Sequence, residues 1–148
     1  MTIADLIAPE RIVVGLRVAD KAQLLRELSD RAGAALGLEP RIILEALHTR
    51  ESLGSTGLGK GFALPHARIE QLHGRFVCFV RLARPIEFAA IDDRPVDLVV
   101  LLLTPANGGN EHLAVLSALS RPLRNQDLLR RLRNAGDAQE MHQLLASA

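Results

Sequence analysis

The chain has no tryptophan and no tyrosine, and aromatic residues make up only 3% of its 148 positions. Proteins that bind single-stranded nucleic acid stack the bases on exposed aromatic rings, so this class of binder is disfavoured. Neither charge is in excess, because 18 basic residues face 17 acidic ones and neither sign forms a long run. We therefore expect no nucleic-acid partner.

Cysteine and long apolar stretches are also scarce. The single cysteine, Cys78, cannot form a disulfide within the chain, and its place in the apolar run at residues 76–80 predicts a buried thiol. No window reaches the ~18 apolar residues that a membrane-spanning helix needs, and the N-terminus has no basic leader. These absences predict a cytoplasmic protein that is not inserted in a membrane.

The sequence does contain enough aliphatic residues for a core. Hydrophobic residues make up 48% of the chain, and a chain of this length buries about 70% of the surface that its unfolded form exposes. There is no internal repeat, low-complexity tract or long linker. We expect one domain over residues 1–148, of the α/β class, with a mixed β-sheet sandwiched between helices.

Periodicity and capping residues locate the elements of this fold. Strands are predicted over residues 12–18, 62–64, 76–82 and 96–103, with a short edge element at residues 86–88. The first long helix should begin after a capping box formed by Asp20 and Gln23 and end at Gly37, and the second should run from Pro40 to about Arg50. Three more helices are predicted in the last third, with caps at Asn110, Asn125 and Asp137.

Residues 54–60, GSTGLGK, match the first part of the phosphate-binding loop of nucleotide triphosphatases. Three features contradict nucleotide binding: Gly61 has no hydroxyl for magnesium, a helix rather than a strand comes before, and Pro65 prevents the required helix. The glycines, Gly57 among them, still allow consecutive backbone amides to converge on an anion. A flexible surface loop is the alternative.

The chain has five histidines, each a candidate catalytic or metal-binding residue, and we expect three of them to be solvent-exposed. His48 and His142 lie on polar helix faces, and His73 lies in a turn. No two histidines have the i, i+4 spacing of zinc proteases, and the one cysteine is in a strand, so we expect no metal site and no cofactor.

His66 differs from these because it follows a strand, a rigid Pro65 and the glycine-rich segment, which should place it at the start of a loop. A histidine held in this way can present one ring nitrogen as a nucleophile while a hydrogen bond orients the other. Arg50 and His112 could neutralise the negative charge of a phosphoryl group on that ring. From these features alone, a structural role for His66 stays equally open.

The pattern around His66 also resembles a known family. Arg50 and Glu51, followed by residues 54–68, closely resemble the A component (EIIA) of the fructose/mannitol-type phosphotransferase system. The resemblance continues through residues 91–98 to His112 and so covers nearly the whole chain. Within the family, the opening at residues 6–13 is most similar to the nitrogen-regulatory branch.

The resemblance implies a specific chemistry. His66 would accept a phosphoryl group from a small HPr-like phosphocarrier protein, Arg50 and His112 would line the site, and Ser55 or Thr56 would contribute a hydroxyl. The chain ends soon after its last predicted helix, so we expect no B domain or membrane domain. It would then regulate partner proteins, such as transporters or sensor kinases, according to its phosphorylation state.

One alternative remains within the same family. A sugar-specific fructose/mannitol-type A subunit would use the same histidine and would pass its phosphate to a separate B protein. The sequence identifies neither the downstream target, nor the oligomeric state, nor which ring nitrogen of His66 is phosphorylated.

Overall fold

The computed structural model describes residues 2–148, which contain one six-stranded mixed β-sheet with helices on both faces. The strands are β1 (Ile12–Leu16), β2 (Gly57–Gly59), β3 (Phe62–Ala63), β4 (His66–Ile69), β5 (Phe76–Ile86) and β6 (Val96–Pro105). Their order is β1-β5-β6-β3-β2, and β4 also pairs with β6. The β5–β6 and β2–β3 pairs are antiparallel and the other pairs are parallel. The predicted α/β fold with a mixed sheet is confirmed.

Six α-helices surround this sheet within the described residues. They are α1 (Ile3–Leu6), α2 (Lys21–Leu36), α3 (Pro40–Ser52), α4 (Glu111–Ser120), α5 (Gln126–Asn134) and α6 (Ala138–Ala146). Short 3₁₀ turns at Pro9–Arg11 and Pro122–Arg124 precede β1 and α5. No helix among residues 2–148 is long and apolar enough to cross a membrane.

The two faces of β6 belong to two separate hydrophobic clusters. Val99, Leu101 and Leu103 pack with α2 and α3, and the alternating residues Leu98, Val100 and Leu102 pack with α1, α4, α5 and α6. All of these side chains are fully buried. A strand covered on both faces requires a nearly continuous apolar run, and this is why residues 96–103 predict a central strand correctly.

His66 is the first residue of a strand, so its predicted place in a loop is wrong. Phe62 pairs with Leu98 and His66 with Leu102, so β3 and β4 keep one register along β6. Pro65 between them lacks an N–H, but its carbonyl accepts the N–H of Leu102 at 3.0 Å. The proline interrupts the strand without ending its pairing with β6.

Most predicted helix ends are confirmed. Asp20 accepts the N–H of Gln23 at 2.8 Å, although the Gln23 side chain returns to the N–H of Ala19 rather than to that of Asp20. Gly37 ends α2 with φ of +69°, and Pro40 begins α3.

The caps of the last three helices have mixed outcomes. Asn125 and Asp137 cap α5 and α6 through their side chains. Asn110 makes no such hydrogen bond, because its backbone is already in the helical region (φ −82°, ψ −4°), so it is not a side-chain cap.

The strand β5 extends to Ile86 and contains the buried Cys78. The predicted edge element at residues 86–88 is wrong, since Ile86 ends β5 and Phe88 is buried beyond it. Cys78 is buried as expected, and burial raises the pKa of its thiol to about 11.

Replacing Asp20 with alanine removes the side-chain cap of α2 and should lower the free energy of unfolding by about 1 kcal/mol. Urea denaturation measures the change. Asp30→Ala is the control, because Asp30 is exposed on the same helix and should change stability by less than about 0.5 kcal/mol. Equal losses in the two variants would contradict the capping role.

Candidate functional site

His66 lies half-buried at the start of β4, with its two ring nitrogens in different environments. Nδ1 is 2.8 Å from the carbonyl oxygen of Leu64. A carbonyl can only accept a hydrogen bond, so Nδ1 carries the proton of the neutral ring. Nε2 then has a free electron pair, which accepts a hydrogen bond from Nε of Arg50 at 3.2 Å.

Burial is the main factor that lowers the pKa of His66. The Leu64 carbonyl opposes the shift by stabilising the protonated ring, whereas the nearby positive charge of Arg50 lowers the pKa further. The ring is therefore neutral at physiological pH. A neutral imidazole with a fixed Nδ1–H is a nucleophile at Nε2.

His112 lies beside His66, with the two ring centroids 5.5 Å apart. It belongs to the first turn of α4 and is buried, and its Nδ1 is 2.5 Å from Oγ1 of the equally buried Thr104. Burial, the positive charge of Arg68 and the neighbouring His66 lower the pKa of His112 to about 4. This ring is also neutral at physiological pH.

Two arginines supply positive charge at the same place. Arg50, in the last turn of α3, donates to the carbonyl of Gly54 at 2.9 Å as well as to His66. Arg68 lies two residues after His66 on β4, so both side chains emerge on the same face of the strand. Its Nη1 donates to the carbonyl of Gly109 at 3.3 Å.

These side chains line one open cleft with an apolar rim. Arg50, Arg68, His66 and His112 share it with a small set of neighbours: Ala46, Thr49, Leu53, Ala67 and Leu113. Leu53 and Leu113 are unusual for apolar side chains, being 79% and 60% exposed.

The other predicted site residues do not line this cleft. Ser55 donates through its hydroxyl to the carbonyl of Phe88 at 3.2 Å and accepts the N–H of Gly57 at 3.1 Å. The hydroxyl and N–H of the buried Thr56 both bind the carboxylate of Glu51. A Cβ at Gly57 would lie 2.7 Å from Ala90, so close packing requires glycine here. The three residues hold the glycine-rich segment in place.

The glycine-rich segment is part of the sheet and is held at its end by a lysine. It contains the edge strand β2, and Lys60 at its end has φ of +58° and donates to the carbonyl of Arg124 at 3.2 Å. Glu51 also pairs with Lys21 at 2.8 Å, which ties α3 to α2 below the segment.

Among residues 2–148, no group of three or more histidines, cysteines or carboxylates is placed to hold a metal ion.

Sequence reasoning missed Arg68, which lines the cleft, and the buried Thr104, which contacts His112 behind it. Arg68 could have been found, because it follows His66 at the two-residue spacing of a strand face once His66 is assigned to a strand. Thr104 gave no signal, since it is one more residue at the end of the apolar run of β6. Only its contact with His112 distinguishes it.

The chain is similar to known proteins over nearly its whole length. The sequence pattern of the family described as phosphoenolpyruvate-dependent sugar phosphotransferase system, EIIA 2, matches residues 5–148. A nitrogen regulatory protein from Bradyrhizobium diazoefficiens is 44% identical over 146 residues, which cover 99% of this chain and 95% of the relative.

Solved structures agree with this result. Nitrogen regulatory protein IIA-Ntr from Neisseria meningitidis superposes with a TM-score of 0.90 and 34% identity, over 97% of this chain and 98% of that one. IIA mannitol from Escherichia coli superposes with a TM-score of 0.77 and 26% identity, over 93% and 97% of the two chains. The predicted family and the likeness to its nitrogen-regulatory branch are confirmed: the chain belongs to the EIIA 2 family of the phosphotransferase system and is a homologue of nitrogen regulatory proteins.

Proposed function

We propose that the chain is a phosphohistidine carrier that accepts a phosphoryl group on Nε2 of His66. The observation that carries the proposal is the bond between Nδ1 of His66 and the carbonyl of Leu64, which leaves Nε2 as the nucleophilic nitrogen of a neutral ring. In the transfer, the N–P bond of the donor breaks, its electron pair stays on the donor nitrogen, and a new bond joins phosphorus to Nε2. No proton has to move.

The residues around His66 support the transfer electrostatically. The ring becomes cationic when Nε2 bonds to phosphorus, and the Leu64 carbonyl stabilises the proton that stays on Nδ1. The phosphoryl group brings concentrated negative charge into the cleft that Arg50 and Arg68 share. Arg50 then exchanges its bond to Nε2 for bonds to the phosphoryl oxygens, which are the stronger acceptors.

His112 acts as a neutral donor in this proposal. Its low pKa keeps the ring neutral at neutral pH in the free chain, so it offers the incoming phosphoryl group one N–H rather than a charge. If the hydroxyl of Thr104 donates to Nδ1, the proton of the neutral ring must lie on Nε2. That N–H is available to a phosphoryl oxygen on the neighbouring His66.

The surroundings of the cleft favour a protein as phosphoryl donor. Exposed apolar side chains beside a buried polar centre are typical of protein–protein contact sites, and Leu53 and Leu113 form such a rim. We propose an HPr-like phosphocarrier as the donor, in the cytosol. The likeness to nitrogen regulatory proteins supports a regulatory output, in which target proteins such as transporters or sensor kinases distinguish the phosphorylated from the free form.

A second candidate is a sugar-specific A subunit that passes the phosphoryl group to a separate B protein. The structural likeness to IIA mannitol favours keeping this alternative. Transfer of label from the phosphorylated chain to an isolated fructose- or mannitol-type B domain would identify it, and stable label in the presence of such domains would reject it.

Isotope labelling tests which atom accepts the phosphoryl group. Incubation with the upstream enzyme, an HPr-like carrier and phosphoenolpyruvate should label the wild-type chain on Nε2 of His66, and ¹⁵N NMR of the ring identifies the nitrogen. His66→Ala should carry no label. His48→Ala is the control, because His48 is exposed on α3 and should be labelled like the wild type. Label in the His66 variant would refute the proposal.

Substitution of Thr104 tests its effect on the tautomer of His112. Thr104→Val keeps the shape of the side chain but removes the hydroxyl, so His112 should populate both neutral tautomers and phosphorylation of His66 should slow by about 10-fold or more. Thr104→Ser should restore the rate and the single tautomer, which ¹⁵N NMR reports at pH 7. A Val variant with a normal rate and one tautomer would show that Thr104 has only a packing role.

A charge substitution at His66 tests whether the phosphorylation state changes partner binding. His66→Glu places negative charge in the cleft, and a regulatory protein should then capture a different set of partners from cell extract than the wild type, as mass spectrometry identifies. His48→Glu adds the same charge on α3 outside the cleft-lining set and should capture the wild-type set. Identical sets for all three proteins would argue against a regulatory output.

A further inference from the structure

A second cavity lies at the other end of the sheet. It has a volume of about 690 Å³ and is lined by two arginines, one glutamine and an apolar floor: Arg17, Arg84, Gln23, Val18, Ala19, Ala83, Pro85 and Ile86. The floor reaches Ile86, which pairs with Val96 at the start of β6, whereas His66 pairs with Leu102 six residues further on. At about 3.3 Å per residue, the two sites are separated by roughly 20 Å along the strand.

Irregular pairing of the two strands beside it produces this cavity. In β1, Val14 pairs with Arg81 and Leu16 with Leu82, so Gly15 is an extra residue, and its φ of +80° fits a bulge. In β5, Arg81 pairs with Leu98 and Ile86 with Val96, so residues 82–85 lie opposite a single residue of β6. The extra residues bend β5 away from β6 and turn Ala83, Arg84 and Pro85 toward the cavity.

The guanidinium groups of Arg17 and Arg84 have no acidic partner among residues 2–148. Arg17 and Arg84 are exposed, and neither takes part in any ion pair among residues 2–148. The acidic residues close to them in sequence are occupied elsewhere: Asp20 accepts the N–H of Gln23, and Glu87 accepts the N–H of Ala89. The positive charge of the pair therefore faces solvent over an apolar floor.

Gln23 adds a neutral donor to this pair. Its Oε1 accepts the N–H of Ala19 at 2.7 Å, which fixes the carboxamide. The amide hydrogens are then the free groups of a side chain that lines the cavity. Two planar, bidentate donors and one amide donor suit carboxylate or phosphate oxygens, whereas the lining offers no acidic side chain that would repel them.

We propose that this cavity binds a small molecule with two anionic groups, carboxylates or phosphates, held by Arg17 and Arg84 with its carbon skeleton on the apolar floor. The volume falls in the range of small-molecule sites. The site lies outside the phosphoryl-transfer cleft, and its existence does not depend on the proposed function of His66.

Titration of the ¹⁵N-labelled chain tests the proposal. Succinate and inorganic pyrophosphate are the probes, added at constant ionic strength with sodium chloride as the compensating salt. Saturable shifts are expected at the backbone amides of Val18, Ala19 and Arg84 with at least one probe, and comparison of the two affinities distinguishes carboxylate from phosphate preference.

Variants make the test specific. Arg17→Ala and Arg84→Ala should each weaken binding by at least about tenfold. Arg41→Ala removes the same charge at the start of α3, outside the cavity, and should leave the affinity unchanged. The proposal is overturned if neither probe saturates at these amides, if the shifts occur only around His66, or if the Arg41 variant binds as weakly as the cavity variants.

Discussion

The hydrogen bond from Nδ1 of His66 to the carbonyl of Leu64 determines which face of the imidazole can react. It holds because the three residues from Leu64 to His66 are fixed from both sides of the strand. The N–H of Leu64 donates to the carbonyl of Thr56 at 3.0 Å, and the carbonyl of Pro65 accepts from Leu102 at the same distance. A proline between them restricts the backbone further. The orientation of the ring is thus a property of the sheet.

The central strand β6 positions both histidines of the cleft. Its residue Leu102 pairs with His66, and Thr104, two positions further on, contacts His112. β6 is buried on both faces and closely packed, since one cluster of helices covers each face. The distance between the two rings therefore depends on alternate residues of a single strand, whereas His112 itself and Arg50 belong to the helices α4 and α3.

The sequence predicted those parts of the fold and the site that depend on local patterns. The apolar run of β6, the cap Asp20 and the glycine Gly37 each carry their signal within a few residues. His66 and Arg50 were identified by their position around a proline and a glycine-rich segment, helped by the likeness to a family. Their roles as acceptor and phosphate ligand stay predictions.

Features that depend on contacts between distant residues were not predictable. Pro65 predicts the end of a strand because the sequence shows directly that its N–H is missing. The hydrogen bond from the N–H of Leu102 to the carbonyl of Pro65 joins residues 37 positions apart, and no local pattern indicates it. The close packing of Ala90 against Gly57, where a Cβ would be 2.7 Å away, is likewise a contact between residues far apart in the sequence. The periodicity of the sequence did not reveal the bulges of β1 and β5.

The contact between Thr104 and His112 has a consequence for how relatives of this chain can diverge. The segment between them leaves β6 and contains the turn at residues 106–110, which includes two glycines. Since the imidazole is held against the end of β6 and not by that turn, insertions and deletions can accumulate there while the two histidines stay opposite each other. In a relative whose turn has a different length, we expect a hydroxyl residue at the end of the central strand to be a better guide to the counterpart of His112 than its distance in sequence from His66.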